Sequence, residues 1–128
     1  MTHPNEALVR RFFDTYGQPG AVQALFSSDA EWYEPGVSPI SGRYVGPDAI
    51  AALVDEILEL SGGTFRVVEL VDVLVNDRHG LALVTVEGTH EGRTIVTTDR
   101  VVFTFTGGAI SEVRVLSEDQ AEVDAFWD

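Results

Sequence analysis

The sequence contains no cysteine and no lysine, and positive charge of any kind is scarce. Without cysteine there is no disulfide scaffold, no thiol nucleophile and no thiolate metal site. Without lysine there is no Schiff-base chemistry and no lysine general base. All of the 8 basic residues are arginines, set against 21 Asp plus Glu for a formal charge of −13. The excess is even along the chain: three arginines face nine acidic residues in 1–64, and five face twelve in 65–128. Nucleic-acid binding needs arginine and lysine to neutralise phosphates, and anionic membranes repel such a chain, so neither is an expected partner. No apolar run reaches the roughly 20 residues of a membrane-crossing helix. The start, Met1-Thr-His-Pro-Asn-Glu, has no signal-peptide core, so the expected location is the cytoplasm. The three histidines, His3, His79 and His90, lack metal-ligand spacing. A phosphate loop, a dinucleotide fingerprint and a Ser–His–Asp pattern are also missing. Neither metal nor cofactor is therefore expected.

What is present is a 128-residue chain that is 45% hydrophobic, the size of one domain with one core, and residues 1–128 read as a single domain. Leu8, Val9, Phe12, Phe13 and Tyr16 recur at helical spacing after Asn5. Gly17 to Gly20 breaks that helix, and Pro19 can open a short second one through Phe26. A strand from Ala30 to Glu34 stops at Pro35-Gly36, and residues 35–46, rich in Gly, Pro and Ser, read as a loop. Pro47 and Asp48 open a third helix whose stripe is Ile50, Leu53, Val54, Ile57 and Leu60, ended by Gly62-Gly63. From Thr64 the period changes to two. Strands are predicted at 64–76, 81–90, 93–106 and 109–117, with hairpin punctuation at 76–80, 91–92 and 107–108. Such long strands in a small meander must bend and wrap around something. Asp119 and Glu122 have capping-box spacing before a last helix that ends at Phe126-Trp127. The expected class is α+β: a curved antiparallel sheet packed against three N-terminal helices, with a short C-terminal helix.

Several stretches together carry a family resemblance. They are Arg11-Phe12-Phe13, Ala24-Leu25-Phe26 leading into Asp29-Ala30, Glu34-Pro35, Ser41-Gly42-x-x-x-Gly46, and Gly108-x-Ile110-x-Glu112. In this order and spacing they resemble the nuclear-transport-factor-2-like superfamily, in its SnoaL-like and ketosteroid-isomerase-like branch, over almost the whole chain. The resemblance implies a cone, a bent sheet closed by helices, with a pocket for a small apolar, polyketide-like or steroid-like molecule. It also implies a homodimer through the outer sheet face, here bearing Arg100, Val102 and Thr104. Function is not implied, because this fold hosts isomerases, cyclases, epoxide hydrolases, dehydratases and binding domains.

Glu34 is the first candidate for chemistry. Ketosteroid isomerases place a general-base carboxylate just before a proline at the end of the first strand, and Glu34-Pro35 matches, with Glu for Asp. Beside Trp32 in an apolar cone, its pKa is expected to rise. Asp99 is the second candidate. Alternation puts it on one face with Ile95, Thr97, Val101, Phe103 and Phe105, and an acid in an apolar pocket can stay protonated and donate to an enolate. The resemblance aligns the family's acid with Val101, two residues away on the same face. The family's oxyanion tyrosine aligns with Phe12 or Arg10, and Tyr16, one turn after Phe12, offers a hydroxyl at another height. His90, at a hairpin end, is a candidate for the pocket mouth. Arg114 is a candidate partner for a buried carboxylate, as in the Asp–Arg–Asp set of limonene-epoxide-hydrolase-like relatives. Their Arg-x-Asp is absent here, since Thr97 stands two before Asp99. Phe12, Tyr16, Trp32, Phe103 and Trp127 complete the expected binding wall. Four functions stay open: a cofactor-free isomerase, cyclase or dehydratase; an epoxide-hydrolase-like enzyme; a domain that holds an apolar ligand unchanged; and a scaffold with a filled cavity.

Overall fold

The computed structural model describes residues 2–18 and 20–128. Pro19, expected to open the second helix, lies outside them. Helix α1 (Pro4–Asp14) begins with proline in its first turn, and His3 caps it by accepting the Asn5 backbone N–H at 3.0 Å. Its inward stripe is Val9 and Phe12. In place of a second N-terminal helix there is one 3-10 turn, Gln23–Leu25. Helix α2 (Pro47–Leu60) buries Ile50, Leu53, Val54 and Ile57. Helix α3 (Gln120–Trp127) is capped by Asp119, which accepts the Glu122 N–H at 3.2 Å. No helix among the described residues is long and apolar enough to cross a membrane.

Six strands form one curved, unclosed sheet: β1 (Phe26–Glu34), β2 (Gly42–Val45), β3 (Arg66–Val75), β4 (His79–His90), β5 (Arg93–Thr106) and β6 (Ala109–Ser117). Their spatial order is β2-β1-β6-β5-β4-β3. The meander β3 to β6 is antiparallel, as the hairpin punctuation predicts. At Glu91-Gly92 both residues have positive φ, 49° and 78°, the twist-compatible two-residue turn.

Two features depart from the expected sheet. Residues 42–45, read as loop, pair as edge strand β2 with the end of β1. This strand is short and mostly exposed, so it carries no apolar alternation. In addition β1 runs parallel to β6, with Trp32 opposite Val113 and Tyr33 opposite Arg114, so the sheet is mixed. That pairing joins segments some eighty residues apart, and no local pattern encodes it.

Irregularities interrupt the ladders in β1, twice in β3 and between β5 and β6. Each adds bend and twist, which turns the long sheet into a trough. Helix α1 covers β3 and β4, α2 covers β1 and β2, and α3 crosses β5 and β6. The concave face of the trough, with these helices over it, holds the core. Along β5, Ile95, Val101, Phe103 and Phe105 are buried, while Arg100 is exposed on the opposite face with half-buried Val102 and Thr104.

Candidate functional site

Within the trough lies a cavity of about 70 Å³. Strand alternation sends Trp32 and Glu34 of β1 to its wall together, two residues apart on the inner face. Pro35 cannot extend the ladder, so Glu34 stands where the strand ends and the loop begins. The indole N–H of Trp32 donates to Glu34 Oε1 at 3.0 Å. The other carboxyl oxygen, Oε2, takes no hydrogen bond among the described residues.

From β5 come Thr97, Asp99 and Val101, with Ile95 on the same face. Asp99 pairs in register with Val84 on one side and Ser117 on the other, and both neighbours line the cavity. Its Oδ1 is shut off from solvent and has no hydrogen-bond partner among the described residues. Tyr16, in the turn that follows α1, lies one helical turn beyond Phe12, and their rings meet edge to face at 5.9 Å. On its other side Tyr16 meets Phe65 at 6.2 Å. Gly88 on β4 makes room for Phe65, since a Cβ there would come within 3.1 Å of that ring. Helix α3 supplies Phe126 and Trp127, and Trp127 lies 6.0 Å from Phe65.

This setting perturbs three acids. Burial raises Glu34 to about 7; the Trp32 hydrogen bond opposes the rise and the Asp99 charge adds to it. Burial raises Asp99 to about 6. Tyr16 is pushed far up by burial first, then by the charges of Glu34 and Asp99, so its hydroxyl keeps its proton at every ordinary pH. Both carboxyls therefore change charge close to neutrality while the phenol keeps its proton.

Of the residues singled out in the sequence, Phe12, Tyr16, Trp32, Glu34, Asp99, Val101 and Trp127 come together around this space. Three do not. Arg114 sits on the outer face, half exposed, with its guanidinium 4.0 Å above the Tyr33 ring and its Nε 3.2 Å from Glu112. It pairs with surface groups because alternation on β6 turns it away from its inward neighbours Val113 and Val115. His90 is buried behind the wall, not at a mouth. Its Nδ1–H donates to the Leu60 carbonyl at 2.7 Å, and its ring lies 5.6 Å from Trp127. Phe103 is fully buried one layer deeper, stacked on Phe105 and capped by Phe12. Phe65 and Phe126 are wall residues that the pattern does not mark. Phe65 precedes its strand, and only its position after Gly62-Gly63 hints that it folds inward. Among the described residues no three histidine or acidic side chains converge as metal ligands do.

Residues 9–113 match the SnoaL-like domain. The chain belongs to the SnoaL-like family. A SnoaL-like chain of this kind has relatives at similar length. An uncharacterized protein of Mycobacterium tuberculosis is 28% identical over 123 residues, covering 94% of this chain and 93% of its own. The structure of Bal32a, from a soil-derived mobile gene cassette, superposes with a TM-score of 0.92 at 29% identity, over 98% of this chain and 97% of that one. A putative SnoaL-like polyketide cyclase from Jannaschia superposes with a TM-score of 0.79 at 18% identity, covering 96% and 91%, a likeness of fold. These relations establish the nuclear-transport-factor-2-like superfamily for this SnoaL-like chain.

Proposed function

We propose that this protein is a cofactor-free enzyme, an isomerase, cyclase or dehydratase, that removes a proton next to a carbonyl of a small, largely apolar molecule. The observation that carries the reading is Glu34: a carboxyl lifted to about 7 by burial, held through one oxygen by Trp32, with the other oxygen free in an aromatic cavity. A base is most effective when its pKa lies near the working pH. Glu34 Oε2 takes the proton from the carbon, and the electron pair moves onto the carbonyl oxygen. The Tyr16 hydroxyl donates to that oxygen as the enolate forms. From the enolate three outcomes differ in where its electron pair and the proton on Glu34 go. Return of the proton from Glu34 to another carbon isomerises the substrate. Attack on a second carbonyl closes a ring, and the alkoxide so formed takes the proton from Glu34. Expulsion of a hydroxyl β to the carbonyl, protonated by Glu34 so that it leaves as water, dehydrates it. The fold likeness to a putative polyketide cyclase supports the same class of substrate. Epoxide opening of the Asp–Arg–Asp kind gains no support, because Arg114 lies outside the cavity.

Deuterium uptake tests the proposal. Small cyclic ketones incubated with the protein in D2O are expected to exchange the hydrogen next to the carbonyl. The rate should rise with pH through about 7, as Glu34 ionises. Glu34→Gln should lower it by roughly 10²–10⁴-fold, and Tyr16→Phe by roughly 10²–10³-fold. Unchanged exchange in Glu34→Gln removes Glu34 from the role. A ligand that binds in the cavity of the wild type and never exchanges or changes would assign the protein to ligand holding.

A further inference from the structure

The lining of the cavity is unbalanced in charge. Among the described residues Tyr16 from the turn after α1, Glu34 from β1 and Asp99 from β5 are its titratable groups, and no arginine or histidine stands among those that line it. The remaining wall, from α2, α3, β3, β4 and β6, is apolar apart from the Ser117 hydroxyl, and on β5 the Thr97 hydroxyl accompanies Asp99. Among the described residues Asp99 takes no hydrogen bond at either carboxyl oxygen, and Oδ1 is shut off altogether, which is costly for a carboxylate. Aromatic rings, Trp32, Phe65 and Trp127 among them, surround this space. Aromatic rings beside carboxylates are the usual surroundings of an ammonium group, which both attract.

Resting on the general-base reading above, we infer that the substrate carries a protonated amine, and that Asp99 receives it. The two ends of the cavity then differ in task. The carbonyl end lies against Glu34 and Tyr16, and the nitrogen end against Asp99, Ser117 and Thr97. Proton removal moves a negative charge from Glu34 to the enolate, so with Asp99 ionised the cavity holds two like charges before and after the step. Among the described residues its lining has no cation to offset them, and an ammonium on the substrate offsets one. The amine N–H donates to the Asp99 carboxylate through Oδ2, the oxygen that is not shut off, and no covalent change at nitrogen is involved. Carboxylates and phosphates of similar shape are excluded by the same acids.

The test compares three probes of one shape, benzylamine, benzyl alcohol and benzoate. Binding to the full chain is followed by NMR at the indole N–H signals of the 2 tryptophans. Trp32 and Trp127 both line the cavity, so surface binding of a cation to this acidic protein does not register. At about pH 8, where Asp99 is ionised, benzylamine is expected to bind about tenfold or more tighter than benzyl alcohol. Benzoate should not bind. The preference for the amine should fade as pH drops through about 6, where Asp99 takes its proton, and should vanish in Asp99→Asn. Alcohol binding equal to or tighter than amine binding at about pH 8 overturns the inference, as does an amine preference that survives in Asp99→Asn, or no amine binding at all. If Asp99→Asn does not fold, the wild-type pH series decides, and an amine preference that stays level across pH counts against it. Glu34-dependent deuterium exchange without an amine preference would sink this inference alone. An amine preference without exchange would sink the general-base reading instead.

Discussion

Trp32 and Glu34 sit two positions apart on one strand, and that spacing alone brings the indole N–H to the carboxyl. The contact is to the ionised form's advantage, since an N–H donor stabilises a carboxylate more than a neutral acid. It therefore holds Glu34 below the value that burial alone would set. Trp32→Phe keeps the ring and removes the donor. Its expected effect is a further upward shift of the Glu34 titration, followed by NMR at the side-chain carboxyl carbon, with little change at Asp99. A downward or absent shift would mean that the indole bond does not act on the charged form. Glu34 was legible in the sequence through its place before Pro35, and Asp99 through alternation with Val101. The orphaned state of Asp99 Oδ1 was not, because it depends on what β4 and β6 fail to offer across the ladder.

At the scale of elements, α3 is the wall that the rest of the fold holds least. It lies across β5 and β6, packs inward through Phe126 and Trp127, and is tied on its outer side by a few named bonds. Arg93 donates to the Ala125 carbonyl and to the Asp128 carbonyl, each at 2.6 Å, satisfying acceptors at the helix end. Asp124 accepts the Val37 backbone N–H at 3.1 Å, tying the loop after β1 to the same helix. Arg93→Ala should loosen α3 before anything else. Amide hydrogen exchange is expected to speed up across Gln120–Trp127 while the β4 and β5 amides keep their protection. Uniform loss of protection would mean that α3 and the sheet open as one unit. The cap Asp119, the opening proline Pro47 and the stripe of α2 were readable in the sequence because helix ends obey local chemistry. Strand β2 and the shrunken second helix were not. Four residues of which only Tyr44 is half-buried have no face to reveal, and a 3-10 turn shares its composition with a short helix.

For the molecule as a whole, two carboxyls with raised values make stability depend on pH. A carboxyl whose pKa is higher folded than unfolded binds more protons in the native state over the interval between the two values. Its contribution is then complete below the unfolded value of about 4 and is lost as pH rises through about 6 for Asp99 and about 7 for Glu34. The wild type should melt lower at about pH 8 than at about pH 5. Glu34→Gln, which never ionises, should gain on the order of 1–3 kcal/mol over the wild type at the higher pH and little at the lower. Thermal melts at both values check this, and a variant that gains nothing at about pH 8 would place Glu34 in free contact with water. By itself the sequence determined the α+β class, the meander of β3 to β6, most helix ends and the inward face of β5, because propensity, period and turn chemistry act over a few residues. The tertiary structure alone decided that β1 lies parallel beside β6, that Arg114 and His90 leave the cavity, and that Tyr16, Glu34 and Asp99 share it. Those outcomes depend on register and bend between distant segments, where a shift of one residue turns a side chain from the inner face to the outer.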